Sequence, residues 1–188
     1  MTTTVYPPEE YWKSVSYKPE PGYFSSQVKA ARRLLFDRAE ILALDIGLGL
    51  GKSARVMEQA GFTVHGIEPS EPFYRKALEL LGGDNERYRL ASIEDTQFSD
   101  GYFDFVTFGA VLEHIYDPAA ALAKAFKWVR PGGIVHAEVP SSDHLIARLI
   151  NTYYRFIGSA NSTVKSPRGR CYWQDQTFAL GSAMLQSR

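Results

Sequence analysis

Residues 41–51 read Ile41-Leu42-Ala43-Leu44-Asp45-Ile46-Gly47-Leu48-Gly49-Leu50-Gly51. The first half is an apolar run of strand length that carries an acid near its end. The second half sets glycines at three alternate positions, just before a segment that reads as a helix. Glycine has no Cβ, so its backbone can come close to a ligand. A helix that starts there turns its first N–H groups, which lack partners within the helix, toward the same point. The turn is therefore a candidate binding site for something small and polar.

Spacing separates the ligands that such a turn could take. A dinucleotide fingerprint needs its third glycine where Lys52 stands. Gly51-Lys52-Ser53 supplies the ending of a phosphate loop, but that loop's first glycine falls on Ile46, and counted from Gly47 it is one residue short. The pattern that remains is acid-x-Gly-x-Gly-x-Gly, with Asp45 two residues before the first glycine. A carboxylate at the strand end repels a pyrophosphate and suits a ligand that bears an ammonium group. This pattern resembles the first motif of the class I S-adenosylmethionine-dependent methyltransferases.

Outward from the turn the chain alternates strands and helices. Ser25 or Ser26 caps a helix to about Asp37 with Val28, Ala31, Leu34 and Leu35 on its buried side. After Gly51 follow a helix over 52–60, a strand over 63–67 closed by Glu68-Pro69, a helix over 71–81 and a strand at 88–91. A strand over 103–108, a helix capped by Asp117-Pro118, a turn at Pro131-Gly132-Gly133 and a strand over 134–139 complete the series. Such alternation predicts an α/β fold: a doubly wound, mainly parallel, Rossmann-like sheet with helices on both faces and ligands at the strands' C-terminal edge. Three regions are expected: an irregular arm over 1–24 rich in Pro and Tyr, a methyltransferase-like domain over 25–160, and a polar, poorly ordered tail over 161–188.

Composition narrows the partners. The chain has 188 residues, enough for one domain with a sizeable core, and its 21 Lys and Arg balance 21 Asp and Glu. That balance gives no electrostatic case for nucleic acid or an anionic membrane, and a basic trio at Lys165, Arg168 and Arg170 reads first as solvated. The one cysteine, Cys171, fits a reducing, cytoplasmic location and excludes an internal disulfide. No Cys cluster or His-Glu-x-x-His spacing calls for a metal. The sequence leaves the oligomeric state open.

Glu68 ends the second strand, beside the glycine turn. Ionised, it accepts hydrogen bonds only, and it can take both hydroxyls of a ribose. The methyltransferase resemblance extends over roughly 42–139 and implies further roles. It makes Asp45 the partner of the cofactor's methionine ammonium, with Gly47, Gly49 and Gly51 framing the amino-acid end. It makes Pro69 and Ile93 the apolar pair around adenine, and puts Ser92 where the family carries an aspartate that accepts from the adenine amino group. It passes Phe108 and Gly109 beneath the sulfonium, although Phe108 also reads as plain core. His114 is a candidate general base for a hydroxyl or amine acceptor. Glu94 reads as a cofactor contact or as a surface residue, Asp104 as structural, and His65 and His136 as packed strand residues. The tyrosines of the arm (Tyr6, Tyr11, Tyr17, Tyr23) and Trp12 read as a lid or as packing. An apolar helix over 141–157 walls a substrate pocket or belongs to the core.

One departure matters. The family continues past its fifth strand with a helix and an antiparallel pair of strands, and here these final strands are expected to be missing, which leaves an open sheet edge. The implied function is S-adenosylmethionine-dependent methyl transfer to a small-molecule acceptor. The alternative is a shortened methyltransferase-like binding module without turnover, and nucleotide hydrolysis at Lys52 comes third.

Overall fold

The computed structural model describes residues 22–140, 164–165, 171–172 and 180–186. Five parallel strands form the sheet: β1 (Leu42–Ile46), β2 (Thr63–Glu68), β3 (Tyr88–Leu90), β4 (Phe103–Gly109) and β5 (Val129–Pro140). Their order is β3-β2-β1-β4-β5, so the winding direction reverses between β1 and β4. In doubly wound sheets a crevice opens at such a reversal, at the strands' C-terminal ends. The glycine turn after β1 lies there.

Helices α1 (Ser25–Leu34), α2 (Lys52–Gln59) and α3 (Glu71–Leu81) cover one face, and α4 (Pro118–Trp128) covers the other. Alternation along the strands divides the core accordingly. Ala43, Val64 and Phe105 pack with Val28, Ala31, Ala54, Met57 and Ala77. Leu44, Ile46, Val106 and Phe108 pack with Ala121, Ala125 and Trp128 on the opposite face. Asp117 caps α4 by accepting from the Ala120 N–H at 2.9 Å, as its position before Pro118 predicts. Gly82, with φ 89°, ends α3.

Asp104 is structural, as read. Its buried carboxylate accepts from the Leu42 N–H at 2.9 Å and lies 3.3 Å from Arg130 Nε and 3.7 Å from Arg38 Nε. These contacts tie β1 to β4 at the edge away from the glycine turn.

Four expectations need correction. Helix α1 stops at Leu34 rather than Asp37, and Ser25 and Ser26 lie inside it; the N-cap position is Phe24, with no side-chain cap. Leu34 is 46% exposed, while Phe24 is buried beside Val28, Ala31 and Leu35. That set follows the helical period, and Leu34 falls one step off the stripe. Pro131-Gly132-Gly133 does not separate two elements. It is a break in pairing inside β5, where the register to β4 jumps from Phe103↔Val129 to Phe105↔Ile134.

Lastly, the sheet's outer edge is covered. Strand β8 (Leu180–Gln186) runs antiparallel along β5 from Ile134↔Gln186 to Pro140↔Leu180, so at least one of the final antiparallel strands is present. A separate ribbon pairs β6 (Val164–Lys165) with β7 (Cys171–Tyr172). All three fall within the segment read as a polar tail. The composition of 180–186, Leu-Gly-Ser-Ala-Met-Leu-Gln, hides the strand, because it lacks β-branched and aromatic residues and holds good helix formers. The helix expected over 141–157 lies outside the described residues. Among the described residues, no helix is long and apolar enough to cross a membrane.

The break in β5 makes one glycine indispensable to the fold. A Cβ at Gly133 would lie 2.6 Å from Val129 Cγ1, 2.8 Å from the Asp104 carbonyl oxygen and 2.9 Å from the Arg130 carbonyl oxygen. Two of these are backbone atoms and cannot swing aside. Gly133→Ala is expected to destabilise the domain by about 1–3 kcal/mol, the usual cost of overpacking. A urea midpoint equal to that of the parent protein would show that the break relaxes freely.

Candidate functional site

The glycine turn is stapled to the neighbouring strand. The N–H groups of Gly47 and Leu48 both donate to the Ile67 carbonyl at 3.0 Å, and the Gly51 N–H closes the turn on the Leu48 carbonyl at 2.8 Å. All three glycines have positive φ, but their surroundings differ. A Cβ on Gly47 would stand 2.5 Å from Val111 Cγ2, and one on Gly51 would stand 2.7 Å from Leu81 Cδ1. Around Gly49 the nearest atom is the Gly47 carbonyl oxygen at 3.9 Å. Gly47 and Gly51 are thus needed by the protein's own packing. Gly49 faces open space, where a ligand can approach.

Glu68 stands against this turn and is only 6% exposed. Its Oε2 accepts from the Gly49 N–H at 2.8 Å and its Oε1 from the Ser70 N–H at 2.9 Å. Burial raises its pKa, and the two N–H groups oppose that rise. Each oxygen keeps a further lone pair, so the carboxylate can hold the turn and still accept from hydroxyl groups.

Asp45 is buried more deeply, 2% exposed. Burial, reinforced by the charge of Glu68, pushes its pKa well above the ordinary value, against one N–H bond from Ala54. Its Oδ2 has no hydrogen-bond partner among the described residues. An unpartnered buried carboxylate oxygen is costly, and a cationic group in the crevice would supply what it lacks.

The remaining candidates are distributed around this centre. Phe108 is fully buried in the core layer facing α4, with Ile93 in the same cluster. Gly109 ends β4, and a Cβ there would lie 3.8 Å from Ser53 Oγ. The next residue, Ala110, has φ 51°, and its N–H donates to the Glu138 carbonyl at 2.9 Å. A non-glycine residue held in that region is strained, and such strain gathers at functional sites. Pro69 and Ser92 are half-buried. His114 closes a single 3-10 turn, Leu112–His114, with its side chain exposed beside Glu113. His65 packs edge-on against Tyr102 and Phe103, and His136 is buried against Phe24 and Thr107. Both are packed strand residues.

Sequence reasoning missed Gln27 and Glu138, and it named Tyr23 only among the arm tyrosines read as a lid or as packing. Tyr23 places its hydroxyl 3.4 Å from Ser53 Oγ. Burial raises its pKa, and so do the charges of Asp45 and Glu138. Gln27 Nε2 donates to Glu138 Oε2 at 3.3 Å, joining α1 to the end of β5. Burial also raises the pKa values of Glu138 and Glu113. Asp45, Glu68 and Glu138 stand near the C-terminal ends of β1, β2 and β5, so this edge of the sheet carries carboxylates and suits a cationic ligand. Glu138 was discoverable as an acid at a strand's C-terminal end; Gln27 gave no local signal. Tyr6, Tyr11, Trp12 and Tyr17 lie outside the described residues. Among the described residues no group of three or more His, Cys, Asp or Glu is arranged to hold a metal ion.

Known proteins show the same organisation. The family model described as "Methyltransferase domain" matches residues 44–137, half of the 188-residue chain. Phosphoethanolamine N-methyltransferase 2 of Caenorhabditis elegans is 34% identical over 119 residues, which are 61% of this chain and 27% of the relative. Ubiquinone biosynthesis O-methyltransferase of Thiobacillus denitrificans is 42% identical over 95 residues, 49% of this chain and 41% of the relative. The chain thus spans less than half the length of either. The crystal structure of the YcgJ protein from Bacillus subtilis superposes with a TM-score of 0.56 at 20% identity, over 80% of this chain and 61% of that one, a likeness of fold. With the glycine turn and the acid that ends β2 inside the matched span, the chain belongs to the methyltransferase-domain family, in the class I S-adenosylmethionine-dependent group.

Proposed function

We propose that the unit over 25–160 binds S-adenosylmethionine in the crevice after β1 and transfers its methyl group to a small-molecule acceptor, in the cytoplasm. One observation carries this reading: open space at Gly49 beside two buried carboxylates, one of them with an unpartnered oxygen. Asp45 would hold the ammonium end, Glu68 the ribose hydroxyls, and the backbone of the turn the amino-acid portion between them. When bound, the cofactor supplies a methyl group already activated on a sulfonium.

The chain's share is then mainly alignment and exclusion of water. The strained Ala110 and the Glu138 carbonyl that holds its N–H fix the floor after β4. Tyr23 stands at the mouth, with its hydroxyl against Ser53. His114, exposed four residues after Ala110, would take the proton from an acceptor that must lose one.

Calorimetry with S-adenosylhomocysteine tests binding, and product formation over a panel of hydroxyl and amine acceptors tests turnover. The rival reading, binding without turnover, is favoured by Ser92 in place of an acid; it predicts the first result without the second. Nucleotide hydrolysis predicts ATP affinity that depends on Lys52. Here Lys52→Ala is expected to change S-adenosylhomocysteine affinity less than about twofold, as for a side chain that makes no ligand contact. A larger loss would return a phosphate loop to consideration.

A further inference from the structure

On the proposed reading the sugar lies at Glu68, which ends β2, and the next strand along the sheet is β3, whose following loop would then meet the base. The Ala91 N–H donates to the Glu68 carbonyl at 3.1 Å and ties the start of that loop to the sugar-binding strand. The loop's carbonyl oxygens are engaged from the protein side. Lys124 Nζ, from α4, donates to the carbonyls of Ile93 at 3.0 Å, Glu94 at 2.7 Å and Thr96 at 3.4 Å. The Ser92 carbonyl takes the Thr96 hydroxyl at 2.6 Å and the Thr96 N–H at 3.1 Å.

The Ser92 hydroxyl is engaged as well. It donates to Asp95 Oδ2 at 2.9 Å and accepts from the Asp95 N–H at 3.2 Å. Ser92 is therefore not a weak substitute acceptor pointing at a base. It anchors a carboxylate, with Asp95 Oδ2 2.9 Å from the Ser92 hydroxyl. Asp95 is exposed, and its second oxygen has no bond among the described residues. Glu94 is also exposed, but among the described residues no comparable bond holds its side chain, and fixing it would cost rotamer entropy.

We propose that Asp95, positioned by Ser92, accepts the exocyclic amino group of the cofactor's adenine, with Lys124 holding the loop in the conformation that allows it. This assignment rests on the reading of the crevice as an S-adenosylmethionine site. It explains how the chain can lack an acid at 92 and still read the base. A carboxylate acceptor makes a charge-assisted hydrogen bond, about twice as strong as a neutral one.

The test is calorimetry of the full chain with S-adenosylhomocysteine and with S-inosylhomocysteine, in which a carbonyl oxygen replaces the amino group. The parent protein is expected to prefer the adenosyl ligand at least tenfold. Asp95→Asn is expected to lose roughly tenfold in adenosyl affinity and to narrow that preference, because a carboxamide can donate to the inosyl oxygen. Ser92→Ala should lose less, in the same direction, and Glu94→Gln should stay within twofold. Asp95→Asn with unchanged affinity, or a loss confined to Glu94→Gln, overturns the assignment while leaving the cofactor reading intact. A parent protein that binds neither ligand overturns both.

Discussion

Glu68→Ala is expected to weaken S-adenosylhomocysteine binding at least a hundredfold, and Gly49→Arg to match it by a different route. The glutamate carboxylate accepts from two backbone N–H groups, at 2.8 and 2.9 Å, inside a site where it is only 6% exposed. Hydrogen bonds to charged groups contribute about 1.5–3 kcal/mol each, and a buried N–H left without a partner costs about 1–3 kcal/mol. Alanine removes both bonds and the acceptor for the ribose, so the turn is loosened and the sugar loses its hold. A hundredfold change corresponds to about 2.7 kcal/mol, within what one such bond supplies.

The two substitutions differ in what they do to the free protein. A Cβ at Gly49 would meet no heavy atom closer than the Gly47 carbonyl oxygen at 3.9 Å, so an arginine there leaves the turn toward ligand space rather than core, apart from the strain of φ 54°. Gly49→Arg should therefore abolish binding with a small fall in melting temperature, and Glu68→Ala with a larger one. 5′-Methylthioadenosine, which has the nucleoside but no amino acid, separates the parts. Glu68→Ala should lose that ligand too, whereas Asp45→Asn should lose only the amino-acid-bearing one. Retention of S-adenosylhomocysteine by either Glu68→Ala or Gly49→Arg would remove the ligand from this crevice.

The glycine turn and Glu68 were legible because each is a local signal: an apolar run, a break in period and an acid at the break. The five parallel strands were legible for the same reason, since helices and strands with clear periods joined by short loops leave few topologies. What stayed hidden depends on segments far apart in sequence. Only the folded chain brings Ser53 to the arm's Tyr23 and Glu138 to Gln27 of α1. Strand β8 was hidden by composition, since backbone pairing with β5 overrides its weak strand propensity. Ser92 was read as a side chain facing a base, and the structure turns its hydroxyl to Asp95.

Acid sensitivity should trace to a residue outside the crevice. His136 is fully buried in β5, with Nδ1 2.8 Å from the Thr107 hydroxyl and Phe24 edge-on at 5.4 Å. Its Nε2 has no partner among the described residues, so protonation would bury a charge with one donor unsatisfied. Burial lowers its pKa from 6.5 to about 4. Between those values the unfolded chain binds a proton that the folded chain refuses, so stability is full above about pH 6.5 and is lost as the pH falls toward 4. The difference amounts to roughly 3 kcal/mol. Asp45 and Glu68 act with the opposite sign: their pKa values are raised by burial, so their ionisation costs stability as the pH rises through the carboxylate range. The two slopes partly cancel in the parent protein. His136→Gln keeps a hydrogen-bonding partner for Thr107 but cannot titrate. The difference in urea-unfolding free energy between parent and variant should therefore change by about 3 kcal/mol from pH 6.5 to pH 4, with the parent losing more. Parallel curves over that range would mean that the imidazole finds solvent or an acceptor when it takes up its proton.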